Sequence, residues 1–79
     1  MYNDYPYYFE VETNLGKSIL VYVKELGYNM LMLAFTDKNG EIQTARYEKN
    51  SIDVKVMISA FLQEYDIIVD SVSSPKENI

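Results

Sequence analysis

The side chains of this chain that could do chemistry are oxygens and amines alone. Its 79 residues include twelve carboxylates, seven Lys and Arg and eight tyrosines, with no His, Cys or Trp. Missing imidazole removes the commonest general base, and missing thiol removes a nucleophile, disulfides and the usual zinc and iron–sulfur ligands. Glu10 and Glu12 fall on one face of a strand pattern, the spacing a carboxylate pair for acid–base work would need. Alternation explains them more simply as a solvated face. Asp37-Lys38-Asn39-Gly40-Glu41 spaces its oxygens as the start of a calcium loop does, but the ligand set is incomplete and a hairpin turn accounts for all five residues. No G-x-G-x-x-G, P-loop or G-x-S-x-G occurs. The inventory therefore predicts no catalytic residue, no metal and no cofactor, and leaves binding.

Two features bear on what is bound. The net charge of −5 is uneven: residues 1–16 carry −3, 17–49 carry +1, 50–72 carry −3 and 73–79 carry zero. The bases are scattered among acids, which disfavours direct nucleic-acid binding and suits a protein partner with a basic groove. Tyr2, Tyr5, Tyr7 and Tyr8 crowd the first eight residues. Tyrosine gives rigid contact area with a polar tip, which suits an interface, and the alternative is that this group packs over a core edge. A sheet bearing Tyr8, Tyr22 and Tyr47 would also stack bases, although Glu10 and Glu12 flank it. The candidate partner-binding residues are Tyr8, Glu10, Glu12, Tyr22, Tyr47, Glu48 and Asp70.

The elements that must position these residues follow from periodicity. Tyr7 to Thr13 alternates as a half-buried strand. Asn14-Leu15-Gly16 leads into Ser18 to Lys24, read as a strand because Ile19, Val21 and Val23 are β-branched at period two; a helix over 17–26 closed by Gly27 is the competing reading. Met30 to Thr36 and Glu41 to Glu48 flank Asn39-Gly40, a strong hairpin signal, with Gly40 supplying positive φ. The simple registers put Leu31, Leu33, Phe35 and Ile42 on one face and Met30, Met32, Ala34, Ala45 and Tyr47 on the other. Asn50 or Ser51 is expected to cap a helix with Asp53 in its first turn. Val54, Met57, Ile58, Phe61, Leu62 and Tyr65 form its apolar stripe, with Phe61 as core anchor. Ile52, Val56 and Ala60 form a weaker second stripe, which predicts contact on two sides. Asp66 to Val72 reads as a last strand.

The expected fold class is therefore α+β: a small antiparallel sheet of about four strands in two hairpins, one packed helix and a C-terminal strand. Residues 1–72 make one domain and 73–79 a flexible tail. One helix covers only one face of the Met30 to Tyr47 hairpin, so a homodimer is expected. The N-terminus lacks a signal-peptide pattern and Met30 to Phe35 is far short of a membrane span, so a cytoplasmic protein without membrane association is the expectation.

From Leu31 to Phe61 the order strand, Asn-Gly turn, strand, capped helix resembles the corresponding stretch of a short phage-encoded inhibitor of Cas9, a type II-A anti-CRISPR protein. The matching positions are Gly40, Asn50, Val54 and the run Ile58-Ser59-Ala60-Phe61, under half of the chain. The resemblance implies a small acidic inhibitor encoded by a phage or mobile element and directed at a nucleic-acid-binding host protein such as Cas9. Where that family carries a dense carboxylate cluster, this chain has Gln63-Glu64-Tyr65-Asp66-Ile67-Ile68, and no binding residue is carried across. The four strands and helix are also similar in order to small single-strand-binding transcription cofactors, which are basic.

Overall fold

A computed structural model describes residues 2–50 and 53–79. Local alternation builds four consecutive strands, β1 (Tyr7–Thr13), β2 (Ser18–Leu26), β3 (Met30–Thr36) and β4 (Ile42–Glu48), before the helix α1 (Val54–Gln63) and the short strands β5 (Val69–Val72) and β6 (Lys76–Glu77). The segment after Gly16 is thus strand and not helix. The antiparallel sheet runs β4-β3-β2-β1-β5, with β6 also paired to β1. It has more strands than the sequence suggests, because the C-terminus adds to the far side of β1.

Residues 73–79, which carry no core-forming pattern, include β6. Lys76 pairs with Tyr8 and Glu77 with Tyr7. Backbone bonds and not side-chain burial hold this segment: Ser73 N–H donates to Glu10 O and Asn78 N–H to Pro6 O.

The β3–β4 register differs from the simple one. Thr36 faces Ile42, Leu33 faces Ala45 and Leu31 faces Tyr47, so odd residues pair with odd. The reason is the turn. Asp37 Oδ1 accepts the N–H groups of Asn39 and Glu41, both at 2.9 Å, and Gly40, at φ 81°, donates to Asp37 O. That loop spans 37–41 and moves the second arm one residue from a two-residue turn, which exchanges its faces. Ala45 and Tyr47 therefore join Leu31, Leu33 and Phe35 under the helix, and Ile42 goes to the opposite face.

The core lies between α1 and the odd-numbered face. Phe9, Val11, Val21, Val23, Leu31, Leu33, Phe35, Met57, Ile58, Phe61, Leu62 and Ile67 form one buried cluster. Phe35, Phe61 and Tyr65 meet edge to face, with centroids 5.1–5.8 Å apart, a favoured aromatic arrangement. The helix cap is Asp53 and not Asn50: its side chain accepts from Lys55 N–H and the helix starts at Val54. Ser51 and Ile52 fall outside the described residues. Val56 and Ala60 are exposed, so their stripe faces outward and not toward a second layer.

At the other end, Ile67 N–H donates to Leu62 O and Asp66 N–H to Gln63 O, with Asp66 in the left-handed region at φ 62°. This is a Schellman closure, and it buries Ile67 beside Leu62. The last strand consequently starts at Val69 and not at Asp66. Among the described residues no helix is long and apolar enough to cross a membrane.

Candidate functional site

The even-numbered face of the sheet carries Tyr8, Glu10, Glu12, Tyr22, Arg46 and Glu48, since Tyr8 pairs with Tyr22 across β1 and β2 and side chains alternate along each strand. The N-terminal segment folds over part of this face. Tyr2 stacks on Tyr22 with centroids 3.9 Å apart and planes 5° from parallel. Tyr5 and Tyr8 approach the same ring at 6.3 and 5.3 Å, and Tyr5 is buried. Tyr2 Oη shares a 2.6 Å hydrogen bond with Thr36 Oγ1. The Lys24 ammonium sits 4.6 Å above the Tyr5 ring and pairs with Asp4 at 2.6 Å. Asn78 clamps the segment, its Nδ2 donating to the carbonyls of Tyr2 and Tyr5, both at 2.8 Å. Tyr2, Tyr5 and Tyr8 therefore form a small aromatic cluster around Tyr22, whereas Tyr7 packs against the main core on the helix side.

Of the sequence-predicted residues, Tyr8 and Tyr22 meet in this cluster, and Glu10 and Glu12 lie on the same face of the sheet. Two of the acids already have partners: Glu10 holds Lys76 at 2.9 Å and Glu12 accepts from Ser18 Oγ at 2.7 Å. Tyr47 is on the opposite face, packed against the core. Asp70 is exposed in β5, skipped by the irregular register that pairs Glu12 with Ser71 and Thr13 with Val69. Glu48 is exposed at the end of β4.

The electrostatics favour fixed, neutral hydroxyls and satisfied charges. Burial pushes the phenols of Tyr22, Tyr47 and Tyr7 up from their ordinary value, with nearby Tyr2, Glu64 and Glu25 adding to it respectively. Hydrogen bonds to Asp4 and Glu10 raise the ammonium pKa values of Lys24 and Lys76. All of these shifts carry the pKa values away from physiological pH, whereas a general acid or base works best with a pKa near it. Among the described residues no group of three metal-ligating side chains is present. A hollow of about 550 Å³ opens between the β3–β4 turn and the end of α1, lined by Phe35 and Tyr65 and by the charged Lys17, Asp37, Lys38 and Glu64 among others. Its mixed charges do not converge on one ligand atom.

The feature that the residue types do not reveal is an edge. On its inner side β4 pairs with β3 without interruption from Met30–Glu48 to Thr36–Ile42. On its outer side no described strand pairs with it. Asp37 N–H donates to Glu41 O beyond one end of the ladder, and Lys49 N–H to Asn29 O beyond the other. Antiparallel pairs alternate between bonded and non-bonded, so Gln43, Ala45 and Tyr47 spend their backbone groups on β3. Ile42, Thr44 and Arg46 present theirs outward, as does the N–H of Glu48, whose carbonyl accepts from Asn50 N–H at 3.0 Å. The opposite edge is protected: β5 and β6 are four and two residues long, with an irregular register and Pro75 between them, devices that blunt edge pairing. Sequence alternation locates β4 but not its neighbours.

Fold and site together define a small α+β domain whose sheet has one short, irregular edge and one longer edge along β4. Comparison with family models, with curated proteins and with solved structures gave no match.

Proposed function

We propose that the chain acts by binding another protein, without turnover, and that it does so by offering the open side of β4 to a strand of its partner. The observation that carries this reading is the uninterrupted seven-residue edge of β4, whose outward N–H and C=O groups are the kind that strand addition uses for affinity while flanking side chains give specificity. Ile42 at 41% and Leu20 at 39% exposure provide apolar surface on the same sheet face. The narrower form is an acidic inhibitor of phage or mobile-element origin that occupies a basic groove on a nucleic-acid-binding protein such as Cas9. Its support is the negative charge of the chain and the exposed acids Glu12, Glu48 and Asp70. Base stacking is less favoured, because Tyr22 already has Tyr2 on its face.

Thr44→Pro tests the edge, since it removes an outward N–H that β3 does not use. With the fold confirmed by circular dichroism, partner protein recovered on immobilised wild-type chain should fall at least tenfold on the variant. Equal recovery overturns strand addition. Lys at Glu10, Glu12, Glu48 and Asp70 together should abolish inhibition of Cas9 cleavage if the narrower form holds; absence of inhibition by the wild-type chain ends that form.

A further inference from the structure

The stacked rings of Tyr2 and Tyr22 are arranged for a covalent bond as well as for packing. We propose that they form an oxidative cross-linking site, at which hydrogen peroxide acting through a one-electron oxidant of the peroxidase class couples the two side chains as dityrosine. The inference is independent of the reading of β4 and needs no partner protein.

The geometry singles out this pair. Rings with centroids 3.9 Å apart and planes 5° from parallel hold their facing carbons at van der Waals contact, so two radicals formed there combine without diffusing together. Tyr5 stands edge-on to both rings, at 73° and 70°, and is only 7% exposed. Tyr8 is 5.3 Å from Tyr22 and tilted by 42°. Among the described residues no other ring pair is stacked. The Tyr2 ring is also held in place, by Thr36 at its hydroxyl and by Asn78 Nδ2 and Tyr5 N–H at its backbone carbonyl. Both rings are half-buried, so an oxidant in solution still reaches them. With no Trp and no Cys in the chain, tyrosine is the side chain from which a one-electron oxidant draws. The four methionines take up oxygen as sulfoxides, a different product.

The step balances as follows. Each phenol gives up one electron and one proton and becomes a phenoxyl radical. The two radicals pair their electrons in a new bond between ring carbons beside the hydroxyls, and the hydrogen on each of those carbons moves to its own oxygen, which restores both phenols. The peroxide takes the two electrons and two protons and leaves as two waters. The product bridges residues 2 and 22. It fixes the N-terminal segment to β2 covalently, where Asn78 holds it by hydrogen bonds.

The test treats the whole chain, at low concentration, with a haem peroxidase and hydrogen peroxide, followed by trypsin and mass spectrometry. Cleavage after Lys17 and Lys24 leaves Tyr22 as the one tyrosine of fragment 18–24, whereas fragment 1–17 carries Tyr2, Tyr5, Tyr7 and Tyr8. The two fragments should be recovered joined, lighter than their sum by two hydrogens and with the blue fluorescence of dityrosine, and their fragmentation should place the bond at Tyr2. Tyr2→Phe keeps a ring on Tyr22 but has no phenol to couple, and should lower the yield of joined fragments at least tenfold. Tyr28→Phe removes a fully exposed phenol that is open to coupling between chains, and should leave that yield unchanged. Thermal melts of both variants confirm the fold. Absence of joined fragments from the wild type overturns the site, with coupling of Tyr28 between chains at high concentration showing that the oxidant is active. A bond at Tyr5, Tyr7 or Tyr8 overturns the pairing, as does a wild-type yield from Tyr2→Phe.

Discussion

Asp37 and Phe61 show how single side chains set larger features here. Asp37 holds the turn that fixes the β3–β4 register, accepting from two backbone N–H groups and from Gln43 Nε2 at 2.9 Å. Gln43 in turn accepts from Tyr65 Oη at 3.3 Å, which ties the turn to the end of α1. The bond from Gln43, followed by those from the backbone, lowers the Asp37 pKa below its ordinary 3.8. A carboxylate whose pKa is depressed on folding contributes stability that is full above its unfolded value and is lost as pH falls through the folded one. Asp37→Asn should therefore flatten the decline in thermal stability below about pH 4, measured by melts from pH 6 to 2; an unchanged acid limb would show that Asp37 is not linked to folding. Phe61 is fully buried between Phe35 and Tyr65. Its truncation to Ala should cost on the order of 3–5 kcal/mol, comparable to the whole stability of a small domain. A near-normal urea midpoint would contradict its central place in the core.

At the scale of elements, the least expected feature is the clamp between the two termini. β6 pairs with β1, and Asn78 holds the carbonyls of Tyr2 and Tyr5. Those tyrosines then cover Tyr22, whose β3 partner Ala34 is fully buried. Removing residues 75–79 should release the N-terminal segment while the α1 side of the sheet persists. Amide exchange should accelerate at Tyr5, Tyr7 and Tyr8 and stay slow at Val21, Leu33 and Phe61. Uniform slow exchange would mean that the tyrosines hold their place without the clamp. The helix stripe from Val54 to Tyr65 is legible in the sequence because its period is local and its residues are apolar. The cap at Asp53 is harder to tell from Asn50 or Ser51, because Asn, Ser and Asp all cap well and chain direction into the helix decides among them. The clamp leaves little trace, since Lys76, Glu77 and Asn78 contribute backbone and amide bonds in place of a hydrophobic pattern.

Across the whole molecule, the sheet has one face under α1 and the other partly under the N-terminal tyrosines, with the short β5 and β6 at one edge and β4 at the other, where no described strand pairs with it. The apolar character of both hairpin faces therefore does not by itself require a second copy. Alternation, turn residues and the stripe of α1 determined the order of elements up to β5, the α+β class and most core positions, because each depends on neighbours within a few residues. The candidate acids and tyrosines were also visible as residue types, although Tyr47 changed face with the register. Tertiary structure decided the register set by Asp37, the docking of β5 and β6 beside β1, and hence the exposure of β4. Those outcomes depend on residues far apart in the chain, as Glu10 and Ser73 or Tyr2 and Asn78 are, and strand pairing is satisfied by backbone groups that every residue carries.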